Sequence, residues 1–478
     1  MPESRISTLS QYNEIRKTHW GKLADSVKFE SFFSLEYHSR LKELYRLLIP
    51  GGSKVLEIGC SKGDLLALVA PQSGVGIDFS AEMITQARAR HAGLTFLVGD
   101  AHSFELDEQF DVIILSDLVN DLWDVQTVLD KVHKVCKPDS RLILNFYSRV
   151  YQPVLNLASS LGLAKKMLPQ NWLTPADAKN LLNLAGFEVI RSQQEILFTL
   201  PIPLLRNLCN QFLVKIWPFS ALAWTNFLIA RPEPVQTHPN ESVSVIIPAR
   251  NEAGNIEAAF QRIPKMGSWT ELVFVEGHSS DNTYEVIQKA ISAHPEWNAR
   301  LFSQAGKEKA DAVRTGFSMA RGDILMILDA DLTVRPEDLP RFYDALAIGK
   351  GDFINGVRLV YPMQDQAMRF FNLLGNKFFS IAFSWLMGQP IKDTLCGTKV
   401  LRRTHYEKIV ANRSYFGDFD PFGDYDLLFG ASKLNLKIID LPVRYQDRTY
   451  GSTNIHRWRH GLLLFRMLAI AAFRLKFI

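Results

Sequence analysis

Cysteine is scarce in this chain, and the few residues present are scattered. Cys60, Cys136, Cys209 and Cys396 form no CxxC pair and have no histidine pair at metal spacing. That argues against a disulfide framework or structural zinc and fits a reducing cytoplasm. Excess charge is lacking too: 54 basic residues against 50 acidic leave a formal net charge of +4. A strongly basic nucleic-acid binder is thereby excluded, while local basic patches remain open. The opening Met-Pro-Glu-Ser-Arg carries no apolar stretch, so no signal peptide is expected. No run reaches the ~18 uncharged apolar residues of a spanning helix. The nearest, residues 216–230 with Pro218 and 461–472 with Arg466, read as buried or interfacial helices. What is present is ordinary globular composition: 478 residues, 47% hydrophobic and 22% charged, enough for two or three domains with their own cores. Aromatic residues are the exception, at 11% with 31 Phe, many of them in the last hundred or so positions.

Residues 231–241, with three prolines among polar neighbours, read as a stiff joint between two α/β blocks covering 1–230 and 242–478. Before it, strand patterns at 54–58, 74–78, 95–98, 110–115, 141–146 and 187–191 alternate with helical patterns such as 81–90 and 125–137. That alternation predicts a doubly wound parallel sheet. After it, strands are expected at 242–247, 271–275, 300–302, 323–328 and 352–357. No internal repeat or low-complexity tract interrupts either block.

The first block carries a glycine turn between strand and helix, Val55-Leu-Glu-Ile-Gly-Cys-Ser-Lys-Gly63. Such a turn lets backbone approach a ligand and aims helix N-terminal amides at it. Asp78 ends the next strand, where a carboxylate can take ribose hydroxyls, and Asp100 ends the third, within reach of an adenine edge. His19, Asp117, Asp121 and Tyr147 are candidates for the pocket mouth. Together with Val75-Gly-Ile-Asp-Phe-Ser80, Gly99-Asp-Ala101 and the run 129–144, the pattern resembles class I S-adenosylmethionine-dependent methyltransferases over roughly residues 12–232. The resemblance implies a Rossmann-like fold and S-adenosyl-L-methionine as cofactor. It further implies Glu57, Gly59 and Gly63 at the methionine end, Asp78 at the ribose and Asp100 at the adenine. Ser61 departs from the pattern by replacing the middle glycine. A dehydrogenase would want an intact GxGxxG and a second nucleotide half, and neither is visible.

In the second block Ser244-Val-Ile-Ile-Pro-Ala-Arg-Asn-Glu-Ala-Gly-Asn-Ile256 sends a strand into a helix, so Arg250 and Glu252 project at the carboxyl edge of the sheet. Glu276 ends the following strand, with Asp281 placed to cap a helix. Asp329-Ala-Asp331 closes an apolar strand with two carboxylates flanking one small residue, a pincer for a divalent cation and a diphosphate. These pieces resemble the inverting GT-A glycosyltransferases of family 2, most closely the polyprenyl-phosphate branch, over roughly 242–453. The resemblance implies that Pro248, Arg250, Glu252 and Glu276 hold the nucleoside of a nucleotide-sugar donor, while Asp329 and Asp331 hold Mg²⁺ or Mn²⁺. It places Asp426 on the family's acidic position with Asp424 beside it, carboxylates that could take the acceptor's proton, and Arg358 and Arg448 on basic landmarks near the acceptor phosphate. Glu276 and Thr333 depart from the family, which often carries aspartate and an amide there.

Residues 369–387 and 457–478 combine aromatics with Arg and Lys, a composition that can lie in a membrane interface or simply cover a sheet. Interfacial helices are expected near 365–388 and 456–478, with Arg369 opening the first and meeting a lipid phosphate. The expected function is a bifunctional transferase, peripheral at the cytoplasmic face of the membrane. It would pass a sugar to a polyprenyl-phosphate or related glycolipid acceptor and methylate a second acceptor. The alternative is a glycosyltransferase for a soluble acceptor with a non-catalytic methyltransferase-like domain.

Overall fold

The computed structural model describes residues 9–24, 32–153, 155, 157, 168, 170–234, 240–358, 370–416, 420, 423–446, 448, 450 and 457–477. The chain divides into two compact units, Met1–Glu233 and Pro234–Ile478.

In the first unit a seven-stranded sheet takes the order β3-β2-β1-β4-β5-β7-β6. Its strands are β1 (Lys54–Ile58), β2 (Ser73–Asp78), β3 (Thr95–Val98), β4 (Phe110–Ser116), β5 (Cys136–Tyr147), β6 (Phe187–Glu195) and β7 (Thr225–Pro232). The first five are parallel, whereas β7 runs antiparallel to both β5 and β6. The fully parallel sheet expected from the pattern is therefore corrected to a mixed one. The reading of 216–230 as a helix is corrected as well, since Thr225–Pro232 is buried strand along its whole length. Its apolar stretch, Phe227 to Ala230, is too short to show a period, and burial between β5 and β6 decides its conformation. Arg231 and Pro232, expected in the joint, end this strand, with Arg231 bonded to Glu188 at 3.0–3.1 Å.

Side-chain alternation splits the core into two layers. Leu56 and Ile58 pack with Val128 and Leu129, while Val55 packs with Leu41 and Tyr45 on the opposite face. Short polar side chains start the helices. Ser80 accepts from the Met83 amide ahead of helix Ala81–Arg90, and Thr174 with Asp177 forms a capping box before Pro175–Leu184.

The second unit holds another seven-stranded sheet, ordered β10-β9-β8-β11-β13-β12-β14. Its strands are β8 (Val243–Ala249), β9 (Thr270–Glu276), β10 (Asn298–Ser303), β11 (Ile324–Ile327), β12 (Phe353–Val357), β13 (Lys399–Arg402) and β14 (Ile438–Pro442). β13 is antiparallel to β11 and β12, and the other pairings are parallel. Val245 and Ile247 face Phe260 and Ile287, whereas Ile246 faces Val313, Phe317 and Phe383. Helices Phe370–Met387 and Arg457–Ala471 occupy the two aromatic-rich segments. Phe379 and Phe383 of the first join Leu464 and Met467 of the second in the core. Phe378, Ile381, Leu462 and Phe465 remain exposed beside Lys377 and Arg466. Among the described residues no helix is long and apolar enough to cross a membrane.

Candidate functional site

The carboxyl edge of each sheet gathers the polar residues singled out above. In the first unit Gly59 and Gly63 both sit at φ 76°, and an added Cβ at Gly63 would lie 2.5 Å from the Phe96 ring. Glycine is thus required there by conformation and by space. Asp78 is buried, and its carboxylate accepts from the Ser61 and Ser80 amides at 2.9 Å each, so it fastens the glycine loop to the end of β2. Burial raises its pKa against those hydrogen bonds. Glu57 is buried below the loop with Oε2 unpartnered among the described residues, and burial raises its pKa well above the ordinary range. A buried carboxyl with one oxygen unpartnered under a glycine loop fits the cationic methionine end of S-adenosylmethionine. Asp100 accepts from Asn13 of the N-terminal helix Leu9–Ala24 and from the His102 amide at 2.9 Å. Burial pushes this carboxyl up, but the bonds from His102 outweigh it and leave the pKa lowered.

Ser61 adopts φ 49°, a left-handed conformation that costs a non-glycine residue about 1 kcal/mol or more. Ser61→Gly should raise the melting temperature of the first unit and tighten S-adenosylhomocysteine binding several-fold, read by calorimetry. Unchanged affinity and stability would mean that the loop carries no such strain.

Beside the loop, an added Cβ at Gly59 would lie 2.9 Å from Leu118, which puts the end of β4 against the glycine turn. Asp117 precedes it at φ 53°. Its Oδ1 accepts from Tyr37 at 2.9 Å and from Asn145 at 2.5 Å. Asn145 in turn accepts from Tyr45 at 2.7 Å. Burial raises the Asp117 carboxyl to about 7 against these donors. Asp121 pairs with Arg16 at 3.5 Å, and the Tyr147 and Tyr37 rings lie 5.6 Å apart.

In the second unit Asp329 and Asp331 follow β11, and the turn holds Leu332 at φ 51°. Lys309 meets Asp329 Oδ1 at 2.5 Å, and Arg448 meets Asp331 Oδ2 at 2.6 Å and Glu252 Oε1 at 3.3 Å. Burial would raise the Asp329 carboxyl, but the Lys309 ammonium holds it below the usual range. Burial, aided by Asp331 and Asp329 and opposed by Arg448, lifts Glu252 to about 7. Thr333 gives both its amide and its hydroxyl to Asp331 Oδ1, at 3.1 and 2.8 Å. An added Cβ at Gly397 would lie 2.2 Å from Asp329, so the DxD turn nests in a cradle open only to glycine.

Asp424 starts helix Asp424–Lys433, is buried, and has Oδ1 unpartnered among the described residues. Burial raises its pKa, against Lys399 and Lys309, and Asp329 pushes it further up. Asp426, two residues on, points elsewhere: Arg413 holds it at 2.8 Å and Arg314 at 3.6 Å. Pro248 lies near the end of β8, and Glu276 Oε1 accepts from the Ser279 amide at 2.5 Å. Arg250 donates to the Lys307 carbonyl at 3.3 Å, and Asp281 accepts from the Thr283 amide at 3.0 Å. The edge therefore presents Asp329, Asp331, Glu252 and Asp424 together with Lys309 and Arg448.

Arg358, expected at an acceptor phosphate, is clamped by Asp393 through Nε at 2.8 Å and Nη2 at 2.9 Å. Arg369 lies outside the described residues. Sequence reasoning missed Lys399, which is fully buried and donates to the Cys396 carbonyl. Its placement comes from β13 pairing between distant segments, which no local pattern announces. Lys309 carried a signal, as a basic residue opening a helix.

Comparison with known proteins agrees with this division. Residues 49–186 match the family model described as a methyltransferase domain, and residues 244–410 match glycosyl transferase family 2. A dolichol-phosphate mannosyltransferase from Pyrococcus furiosus is 33% identical over 218 residues, covering 45% of this chain and 59% of the relative. The chain thus spans under two thirds of that relative's length. Glycosyltransferase AglJ from Haloferax volcanii is 26% identical over 227 residues, covering 47% of this chain and 70% of that protein. Among solved structures, magnesium protoporphyrin IX methyltransferase from Synechocystis PCC 6803 aligns with a TM-score of 0.33 at 16% identity, over 47% of this chain and 97% of that one. Each unit thus carries a match to one transferase family, residues 49–186 of the first to a methyltransferase domain and residues 244–410 of the second to glycosyl transferase family 2.

Proposed function

We propose that the second unit transfers a sugar, with inversion, from a nucleotide-sugar to a lipid-borne phosphate, and that the first methylates an acceptor with S-adenosylmethionine. The observation carrying the glycosyl reading is the meeting of the DxD pair, Glu252, Lys309, Arg448 and Asp424 at one sheet edge. Among the described residues no three His, Cys, Asp or Glu form a ready metal cluster. Asp329 and Asp331 would hold Mg²⁺ or Mn²⁺, which would neutralise the departing diphosphate. Lys309 and Arg448, now seated on the two carboxylates, would turn to those phosphates. Glu276, Pro248 and Arg250 would receive the nucleoside. Asp424 would orient the acceptor or take its proton; an anionic phosphate needs only the former. The mannosyltransferase relative supports the lipid-phosphate acceptor. The exposed apolar and basic residues of Phe370–Met387 and Arg457–Ala471 support seating at a membrane. The test incubates the full chain with a nucleotide-sugar panel and either dolichyl phosphate or a soluble glycoside. Sugar on the glycoside alone would refute the lipid acceptor.

For methylation, Asp78 and Glu57 would hold the cofactor's ribose and methionine ends, with Asp100 at the adenine. Asp117, beside the glycine loop, is placed to take the acceptor's proton. The folded carboxyl keeps its proton to about pH 7, whereas an unfolded Asp loses it near 3.9. The stability from the protonated form is therefore full below about pH 3.9 and lost as pH rises through about 7. Asp117→Asn should melt higher than the parent at pH 8 and equally at low pH. Methyl transfer by the parent should rise through pH 7, and the variant should lose about 10²–10⁴-fold. A variant with the parent's pH profile would remove Asp117 from this role.

A further inference from the structure

Adjacent antiparallel strands can be joined by a two-residue turn. β6 and β7 pair side by side, yet residues 196–224 intervene. The segment lies beyond the part matching the methyltransferase family. It is built firmly onto the sheet. Buried Asn210 accepts from the Leu197 and Phe198 amides at 2.8 Å and donates to the Phe198 carbonyl at 2.7 Å. Lys215 forms a buried ion pair with Glu195, and Trp224 stacks on Tyr151 at 3.6 Å.

Its outer face is apolar. Leu204 is 88% exposed and Trp217 80%, with Ile202, Leu208, Ile216 and Leu222 about half exposed. Scattered exposed apolar residues are ordinary, but this density in one anchored segment is not. Charge identifies what could cover it. No Asp or Glu occurs between Glu195 and Glu233, although the chain has 50 in 478 residues. The charges present are Arg206, Lys215 and Arg231, all cationic, and each is paired with a carboxylate supplied from elsewhere, Glu36 at 2.7 Å, Glu195 and Glu188. A projecting leucine and tryptophan in a segment that adds no carboxylate of its own, its cations already neutralised, suit the boundary of a bilayer, where indole prefers the headgroup level.

We propose that residues 196–224 form a bilayer-docking platform belonging to the methyltransferase unit itself. The Ser148 amide, just past β5, donates to the Trp224 carbonyl at 2.8 Å, so the platform rises from the sheet edge that carries Asp117. If the methylation reading above holds, docking presents a membrane-borne acceptor to that edge. The docking itself does not depend on that reading.

The test floats the full chain with vesicles of phosphatidylcholine and phosphatidylglycerol. It compares the parent, Leu204→Asp/Trp217→Asp, and Phe465→Asp/Phe473→Asp of the second unit. Both altered residues of the platform project outward, and unchanged melting with retained S-adenosylhomocysteine binding verifies the fold. The platform variant should lose about tenfold or more in vesicle affinity, since two apolar side chains leave the bilayer. Failure of the parent to float, or full binding by the platform variant, overturns the proposal. So does a variant that loses only self-association in sedimentation, which would mean that a second copy covers the face. Loss in the second-unit variant alone would leave membrane seating of the glycosyltransferase intact and remove the platform.

Discussion

Asp329→Asn is expected to reduce glycosyl transfer by about 10²–10³-fold or more, the scale on which a preorganised charge at a reaction centre matters. The amide keeps the volume that fills the Gly397 cradle, so the turn should survive. It removes the charge that Lys309 neutralises at 2.5 Å and that would bind the divalent ion. The loss should fall on transfer far more than on folding, and added Mn²⁺ should restore little of it. Asp331→Asn should act similarly, with the further effect of weakening the hold on Arg448, which keeps its pairing to Glu252. Near-wild-type transfer by Asp329→Asn, or transfer that persists in chelator, would show the pair to be an ion-paired turn and nothing more. The measurement is initial rate against donor and metal concentration, with melting temperature as the control.

The second large effect is on stability. Arg358 and Asp393 form a bidentate pair, Asp393 is 2% exposed, and the Arg358 and Leu395 amides also donate to that carboxylate at 3.1 and 3.0 Å. Asp393→Ala leaves the guanidinium buried without its partner, which costs about 3–5 kcal/mol. For a unit of this size that lowers melting by roughly 6–20 °C. Asp393→Leu combined with Arg358→Met should recover much of the loss, because removing both charges also removes the desolvation cost. Were Asp393→Ala to melt with the parent, Arg358 would be free to turn to a phosphate, as its motif position suggests.

Arg358 shows where local reading stops. The sequence pattern places it on a basic landmark, but its partner lies 35 residues away and the pairing forms only when β12 and β13 assemble. Lys399 is hidden for the same reason. Asp424 and Asp426 look alike in sequence, yet Gly423 at φ 79° and the start of a helix send one toward Asp329 and the other toward Arg413. By contrast, the glycine loop, Asp78 and the DxD pair are legible because each sits at the end of an apolar strand, where chain order alone puts it on the ligand edge. β7 was opaque because a wholly buried strand lacks alternation, and residues 196–224 because their role lies in exposure rather than in a motif.

In the proposed reaction the second unit would hold a nucleotide-sugar diphosphate through Asp329 and Asp331 with a divalent ion. The most direct measurement is anomalous scattering at the manganese edge from crystals of the full chain grown with Mn²⁺ and a nucleoside diphosphate. One manganese is expected within bonding distance of both carboxylates, with Lys309 and Arg448 turned onto the diphosphate and the nucleoside beside Glu276. Lys309 and Arg448 still seated on the two carboxylates, with manganese absent and the nucleotide elsewhere, would contradict it.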